Sequence, residues 1–200
     1  PEGVLDGTFL ANQDMTRLAT QLGGDVARQG QAAAMLLTLP GTPWLYYGEE
    51  VGLRNGPADR DEAKRTPMPW TAADTGFTSG VPWYRFAPGR ETANVADQID
   101  DPQSLLSRYR DLIHLRQRLP ALRTGDLALV ALDEAPADAV AYLRTAGDQR
   151  VLVLHNLADE PRTLSWSLDQ PPAAYALRFG ARGVGLPAGH AITLPARATA

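Results

Sequence analysis

Residues 9–17, FLANQDMTR, place an apolar tripeptide directly before a cluster of polar side chains that could act on a polar substrate. The cluster comprises two amides, a carboxylate and a guanidinium: Asn12, Gln13, Asp14 and Arg17. If the apolar residues end a buried strand of a parallel sheet that helices cover, the cluster lies at the edge where binding and catalytic sites are built. The alternative is a plain turn after a strand, in which Asn and Asp are common because they bond to nearby backbone.

The elements that would position this cluster alternate between strand-like and helical segments over residues 1–122. Two strand-like segments, TFLAN and PWLYYG, flank the helical segment VARQGQAAAMLLTL, and a later helical segment, SLLSRYRDLIHLRQRL, ends before Pro120. Both helical segments repeat apolar residues at helical spacing. Strands that alternate with helices indicate a parallel sheet, so residues 1–122 are predicted to form an α/β domain.

The pattern changes to short strand-like segments from about residue 123 onward. Five of them are separated by turns rich in Asp, Gly and Pro: LALVAL, AVAYLR, RVLVLHN, RTLSWSL and AITLPA. This spacing is typical of an antiparallel all-β module. We therefore expect a small antiparallel β-sandwich domain at residues 123–200, with the junction at 120–125. The predicted fold class of the whole chain is α/β followed by all-β.

The stretch from residue 52 to about residue 102 is irregular and rich in aromatic, proline and glycine residues. Long irregular stretches in compact domains usually form binding loops. Aromatic rings suit sugars, which have apolar C–H faces and polar hydroxyls, although Trp70 and Trp83 could equally fill a core. A mixed-charge segment that includes Lys64 and Arg65 is interpreted as solvated, or as the rim of a cleft at most.

Other ionisable residues give weaker signals of chemistry. Glu49 and Glu50 are adjacent, so on a strand their side chains would point to opposite faces and could not converge as an acid/base pair. Anchoring of the loop is the favoured role for them. Three histidines lie far apart in the sequence without ligand spacing, so neither a metal site nor a cofactor is predicted; they are His114, His155 and His190.

Composition and charge narrow the classes of partner. The net charge is -4 and no segment is dense in Lys or Arg, so neither nucleic acid nor a membrane is expected as a partner. The chain has no cysteine, which excludes disulfides and thiolate metal sites. No segment is a candidate membrane span or signal peptide, so we expect a soluble protein, cytoplasmic or secreted. The start at Pro1, without Met, indicates a cut end.

Several segments, taken in order, resemble glycoside hydrolase family 13, the alpha-amylase family. FLANQDMTR resembles the motif after the seventh barrel strand, and GTPWLYYGEEVGL resembles the eighth strand and the loop after it. RTPMPW, GFT, PW and NVADQIDDPQSLLSRYRDLIHLR resemble the subgroup of alpha-glucosidases and trehalose synthases. The resemblance implies that residues 1–122 are the C-terminal part of a TIM (β/α)8 barrel, its seventh and eighth βα units, followed by the small β-sandwich of the family.

The resemblance implies a retaining glycoside hydrolase or glucosyltransferase that acts on an alpha-linked glucose oligosaccharide or disaccharide. Such enzymes need a carboxylate nucleophile and a carboxylic acid, which the family carries on the fourth and fifth strands, so the 200-residue chain is expected to be inactive alone. By resemblance, Asp14 is the third carboxylate and stabilises the transition state. The resemblance makes Asn12, Gln13 and Arg17 the expected substrate-binding residues; Arg17 would also orient the carboxylates, and Asn12 would support the strand end. Gln13 stands where the family usually has His, and its amide can donate to a sugar hydroxyl but cannot become cationic.

An alternative to part of an enzyme is a noncatalytic carbohydrate-binding or structural module, in which the β-sandwich folds independently. A starch-binding assay would separate the two interpretations. A partial barrel leaves strand edges unpaired, so the fragment is expected to self-associate or to be markedly less ordered in its first half than in its last 75 or so residues. Unless another chain or a rearranged packing covers them, the apolar side chains expected to be partly exposed are those of the WLYY segment, with Leu10, Leu36, Leu37 and Leu45.

Overall fold

The computed structural model describes residues 6–73, 76–134, 136–168, 176–180 and 189–200. By packing, the chain divides into two compact units. The first comprises Pro1–Leu36 and Thr42–Asp111, and the second comprises Leu37–Gly41 and Leu112–Ala200. The division between Asp111 and Leu112 falls within the helix Leu105–Arg118 and does not test the predicted domain limits. The domains 1–122 and 123–200 therefore stay predictions. None of the described helices has the length and apolar character that crossing a membrane requires.

The first unit contains a parallel pair of short strands. Strand β1 (Gly7–Phe9) pairs with β2 (Thr42–Trp44), and Phe9 lies opposite Trp44. Helices α1 (Leu18–Gln21) and α2 (Val26–Thr38) lie between the two strands in the sequence. The predicted order of strand, helix and parallel strand is therefore confirmed. Strand β2 is shorter than the predicted segment PWLYYG, since the backbone leaves the strand after Trp44.

Helix α2 is kept in place by its small and branched apolar residues. Ala33, Ala34, Leu36 and Leu37 are all almost fully buried, with at most 4% of each exposed. The expectation that Leu36 and Leu37 are partly exposed is therefore wrong, because both lie on the inward face of the helix. The same expectation is confirmed for Leu45, which is 38% exposed.

The remainder of the first unit is mostly irregular, as predicted for residues 52–102. A 3-10 turn at Glu49–Val51 is followed by three helices, α3 (Asp61–Lys64), α4 (Val95–Gln98) and α5 (Leu105–Arg118). Asn94 caps the N-terminus of α4, because its side-chain oxygen accepts a hydrogen bond from the backbone nitrogen of Asp97. A small apolar cluster lies beneath this stretch and comprises Val51, Leu53, Met68 and Ala87.

The second unit is built from antiparallel strands after a short helix, α6 (Pro120–Thr124). Its strands are β3 (Asp126–Leu129), β4 (Ala139–Ala146), β5 (Gln149–Asn156), β6 (Arg162–Ser165) and β7 (Ala191–Leu194). The first three form one antiparallel sheet and the last two form another. Each corresponds to one of the five strand-like segments, so the antiparallel module is confirmed. Its core includes Leu164, Trp166 and Leu194.

The C-terminal end of α2 belongs to the second unit, and arginines of that unit bind its free carbonyl groups. The last carbonyls of a helix have no partner within the helix and need donors from elsewhere. Arg116 donates to the backbone oxygens of Leu37 at 2.8 Å and Gly41 at 2.6 Å. Arg144 donates to the backbone oxygen of Thr38. These contacts end the helix and fix the turn that leads toward β2.

Candidate active site

The residues after β1 fold into a tight polar turn that presents Asp14. The side-chain oxygen of Asn12 accepts a hydrogen bond from the backbone nitrogen of Asp14 at 2.9 Å. The backbone oxygen of Asn12 accepts another from the nitrogen of Met15 at 3.2 Å. Asn forms such turns readily because its amide oxygen competes with backbone acceptors. The turn leaves the Asp14 side chain 63% exposed.

Two residues of the loop that follows β2 bind the Asp14 turn. The Arg65 guanidinium donates to the Asp14 carboxylate at 2.9 Å and to the backbone oxygen of Gln13 at 3.1 Å. The Lys64 ammonium donates to the backbone oxygen of Asp14 at 3.1 Å. The interpretation of this segment as solvated or as a rim missed these contacts, because the partners are 51 residues apart and no local pattern indicates them.

Gln13 also contacts the Asp14 carboxylate. Its side-chain nitrogen donates to the second carboxylate oxygen at 3.2 Å. The Gln13 amide is therefore a hydrogen-bond donor to this carboxylate that carries no charge. Asn12, Gln13 and Asp14 are thus brought together in one turn.

Arg17 is buried, with only 2% of it exposed, and among the described residues no hydrogen bond or ion pair joins it to the Asp14 carboxylate. Its guanidinium donates to the backbone oxygen of Tyr47 at 2.7 Å and lies over the rings of Tyr46 and Tyr47, 4.4 and 4.6 Å from their centroids. Its backbone nitrogen donates to the side chain of Asn55 at 2.9 Å. Burial lowers the pKa of Arg17, and the surrounding aromatic rings and carbonyl favour the cation. In the described residues, its Nε and Nη2 groups have no hydrogen-bond partner.

Glu49 is a buried carboxyl that serves as an anchor. The Tyr109 hydroxyl of α5 donates to it at 2.8 Å, and only 5% of Glu49 is exposed. Burial raises the pKa of Glu49 to about 7, although the hydrogen bond from Tyr109 opposes the shift. Burial also raises the pKa of Glu50. The two glutamates lie in a 3-10 turn, so the expectation that they lie on a strand is wrong. The contact of Glu49 with Tyr109 supports a loop-anchoring role for this residue, which stays a prediction.

The sequence did not decide whether Trp70 and Trp83 fill a core or form platforms for sugar rings, and in the structure both side chains are exposed. Trp70 is 47% exposed and Trp83 is 58% exposed. The Trp83 ring lies beside Tyr84, with 5.7 Å between the ring centroids. Neither tryptophan fills a core in this structure, and both rings offer an apolar face to solvent.

The family of the chain follows from comparison with known proteins. Residues 1–125 match the family model described as alpha amylase, catalytic domain. Residues 139–199 match the model described as the alpha-amylase SusG C-terminal domain. The chain belongs to the alpha-amylase family, and the resemblance inferred from its motifs is confirmed.

Individual relatives agree with this assignment. The chain is 29% identical to a probable oligo-1,6-glucosidase 2 of Bacillus subtilis, over 79% of this chain and 35% of the relative. It is 32% identical to a glucan 1,6-alpha-glucosidase of Streptococcus pneumoniae, over 82% of this chain and 38% of the relative. The chain therefore spans little more than a third of the length of these relatives.

A solved structure shares the fold across both units. The trehalulose synthase MutB of Pseudomonas mesoacidophila is 26% identical, with a TM-score of 0.81 over 96% of this chain and 42% of the enzyme. A mutant of MutB solved in complex with glucose superposes with a TM-score of 0.82, at 26% identity over 99% of this chain and 43% of that one. The α/β unit and the following antiparallel unit are thus those of an alpha-amylase family enzyme.

Proposed function

We propose that this chain is part of a retaining alpha-glucosidase, alpha-amylase or glucosyl-transferring enzyme that acts on alpha-linked glucose oligosaccharides or disaccharides. The observation that carries the proposal is the Asp14 carboxylate, which stands open to solvent beyond a parallel strand while Arg65 and Gln13 hold its two oxygens. The names of the relatives, which include glucosidases and a trehalulose synthase, support the substrate class.

Asp14 acts in this proposal as the transition-state stabiliser. A carboxylate offers about four acceptor positions, so hydrogen bonds from Arg65 and Gln13 leave room for sugar hydroxyls. Bonds from those hydroxyls to an anion strengthen as positive charge develops on the sugar ring. Together with ring distortion, such bonds supply several kcal/mol in glycoside hydrolysis. Asp14 would therefore favour the oxocarbenium-like transition state over the ground state.

The neighbouring residues take supporting roles in the proposal. Gln13 donates a neutral hydrogen bond to substrate or to Asp14, and Asn12 holds the turn. Arg17 supports the site by packing on the rings of Tyr46 and Tyr47 after β2. Its Nε and Nη2 groups can orient carboxylates contributed by other parts of the enzyme. Strands β1 and β2 would be the seventh and eighth strands of a TIM barrel, whose active site lies at the carboxyl ends of the strands.

Product stereochemistry tests the proposal most simply. The enzyme that contains this chain is incubated with maltotriose, isomaltose or sucrose, and the first product is followed by proton NMR. A retaining mechanism releases or transfers glucose in the alpha configuration, because two inversions occur in sequence. A beta-configured first product, or no turnover of any of these alpha-glucosides, would overturn the proposal.

A further inference from the structure

Two adjacent tyrosines after β2 hold the backbone on both sides of Arg65. The Tyr46 hydroxyl donates to the backbone oxygen of Lys64 at 3.0 Å. The Tyr47 hydroxyl donates to the backbone oxygen of Thr66 at 2.7 Å. The residue between these two carbonyls is the one whose side chain binds the Asp14 carboxylate.

The tyrosines are themselves fixed. Their rings pack edge to face, with 4.8 Å between the centroids and 68° between the ring planes. The buried Arg17 guanidinium lies over both rings and donates to the backbone oxygen of Tyr47. Burial raises the pKa of Tyr47 to about 12, so its hydroxyl keeps its proton and acts as a donor throughout the neutral range.

The ion pair between Arg65 and Asp14 needs such support because it is exposed. The two side chains are 38% and 63% exposed, and exposed ion pairs contribute little by themselves. The pairs of Asp61 with Lys64 and Arg65 are local to α3 and its end, so they shape the helix without tying it to the Asp14 turn. The bonds from the tyrosine hydroxyls instead connect this segment to the end of β2.

We propose that Tyr46 and Tyr47 are positioning residues that fix the backbone around Arg65 so that its guanidinium orients the Asp14 carboxylate for catalysis. This inference rests on the proposed function, in which Asp14 stabilises the transition state. The tyrosines need not touch the substrate. The inference assigns their effect on the reaction to the Arg65 side chain, and this assignment makes the inference testable.

A double-mutant cycle in the complete enzyme tests the dependence. Replacing both tyrosines (Tyr46→Phe with Tyr47→Phe) removes the two hydroxyls and keeps the rings beneath Arg17. We expect kcat to fall about tenfold while KM changes less than about twofold, because a misplaced carboxylate loses stabilisation mainly in the transition state. In an Arg65→Ala background, the same two replacements should lower kcat no further. Equal losses in both backgrounds, or an unchanged kcat, would overturn the inference.

A matched control separates positioning from general loss of stability. Tyr142 of the second unit has a buried hydroxyl, which is hydrogen-bonded to Thr38 at 2.6 Å and to His155 at 3.0 Å. Tyr142→Phe should lower the melting temperature and leave kcat unchanged. If Tyr142→Phe lowers kcat as much as the paired replacement at Tyr46 and Tyr47, the effect is one of stability and the inference is wrong.

A structural measurement keeps this inference separate from the proposed function. If the unmodified enzyme turns over no alpha-glucoside, the proposed function has failed, and the positioning role is judged by crystal structures alone. The paired Tyr46→Phe and Tyr47→Phe variant should then show Arg65 displaced from Asp14. An unchanged Arg65–Asp14 pair in that variant would overturn the positioning role.

Discussion

At the scale of single residues, Asp14 combines fixed orientation with access to solvent. Its backbone is held by Asn12 and Lys64, and its two carboxylate oxygens accept hydrogen bonds from Arg65 and Gln13. A preorganised anion costs no reorganisation when positive charge develops on a substrate, which is the basis of electrostatic catalysis. The surrounding contacts therefore support the role in the transition state that we propose for this side chain.

The buried carboxyl of Glu49 gives the stability of the protein a defined dependence on pH. Its pKa is about 7 in the folded protein against an ordinary value of 4.5, so between these values the folded state binds more protons than the unfolded state. The free energy of unfolding should therefore fall as pH rises from about 4.5 to about 7, by on the order of 3 kcal/mol from this group, and then level off. Below pH 4.5 this contribution is fully present.

Urea unfolding of the wild type and of Glu49→Gln at several pH values checks this prediction. The amide keeps the shape of the side chain but does not titrate, so the variant should show a shallower fall between pH 4.5 and 7. Parallel pH profiles for the two proteins would show that Glu49 ionises normally in the folded state.

At the scale of elements, the turn after the tyrosines depends on Gly48. Its φ of 82° lies in the left-handed region, and a Cβ there would come within 2.5 Å of the Leu53 side chain. Gly48→Ala should therefore lower the free energy of unfolding by about 2–4 kcal/mol, from backbone strain and overpacking together.

Gly147→Ala, in the turn between β4 and β5, is the matched control for Gly48→Ala, and the free energy of unfolding of both variants is measured by chemical denaturation. Its φ is 55°, and nothing lies within 4 Å of an added Cβ. Gly147→Ala should cost only the backbone term, about 1–2 kcal/mol. Equal losses for the two variants would show that the contact with Leu53 has no energetic consequence.

The sequence predicts the elements better than it predicts the contacts between them. Helices α2 and α5 and strands β4 and β5 carry clear periodicity, so local patterns identify them. The ion pair of Arg65 with Asp14 joins positions 51 apart, and no local pattern encodes it. The motif that contains Asp14 is recognisable because strand, turn and polar residues are contiguous. The sequence does not reveal the hydrogen bonds of the Tyr46 and Tyr47 hydroxyls, because a tyrosine that is buried for its ring and one that donates a hydrogen bond look the same in a sequence.

At the scale of the whole molecule, the parallel strand pair leaves apolar surface uncovered. Among the described residues, β1 and β2 pair only with each other, and Trp44 is 65% and Phe9 47% exposed. Exposed strand edges beside large apolar side chains promote association. We expect the 200-residue chain, produced alone, to self-associate. Light scattering should give a mass above that of a monomer, and Trp44→Glu should reduce it. A monomer at all concentrations would contradict this prediction.

The 200-residue chain alone is also expected to lack glycosidase activity. A retaining enzyme needs a nucleophile and an acid/base carboxyl about 5–5.5 Å apart. The proposed role of Asp14 is neither of these two. Asp14 can stabilise a transition state but cannot replace both reacting groups. Reducing-sugar release from maltotriose, with the complete enzyme as the positive control, is the measurement. Clear release by the 200-residue chain would contradict the assignment of roles.

The most direct test of the central claim is the kinetics of Asp14→Asn in the complete enzyme. In the proposed role the contribution of Asp14 grows toward the transition state, so kcat should fall by about 100-fold or more while KM changes by only a few-fold. Asp25→Asn is the control, since Asp25 is 44% exposed and pairs with Arg28, and it should leave both constants unchanged. A rise in KM at constant kcat for Asp14→Asn would make Asp14 a ground-state binding residue and contradict the account.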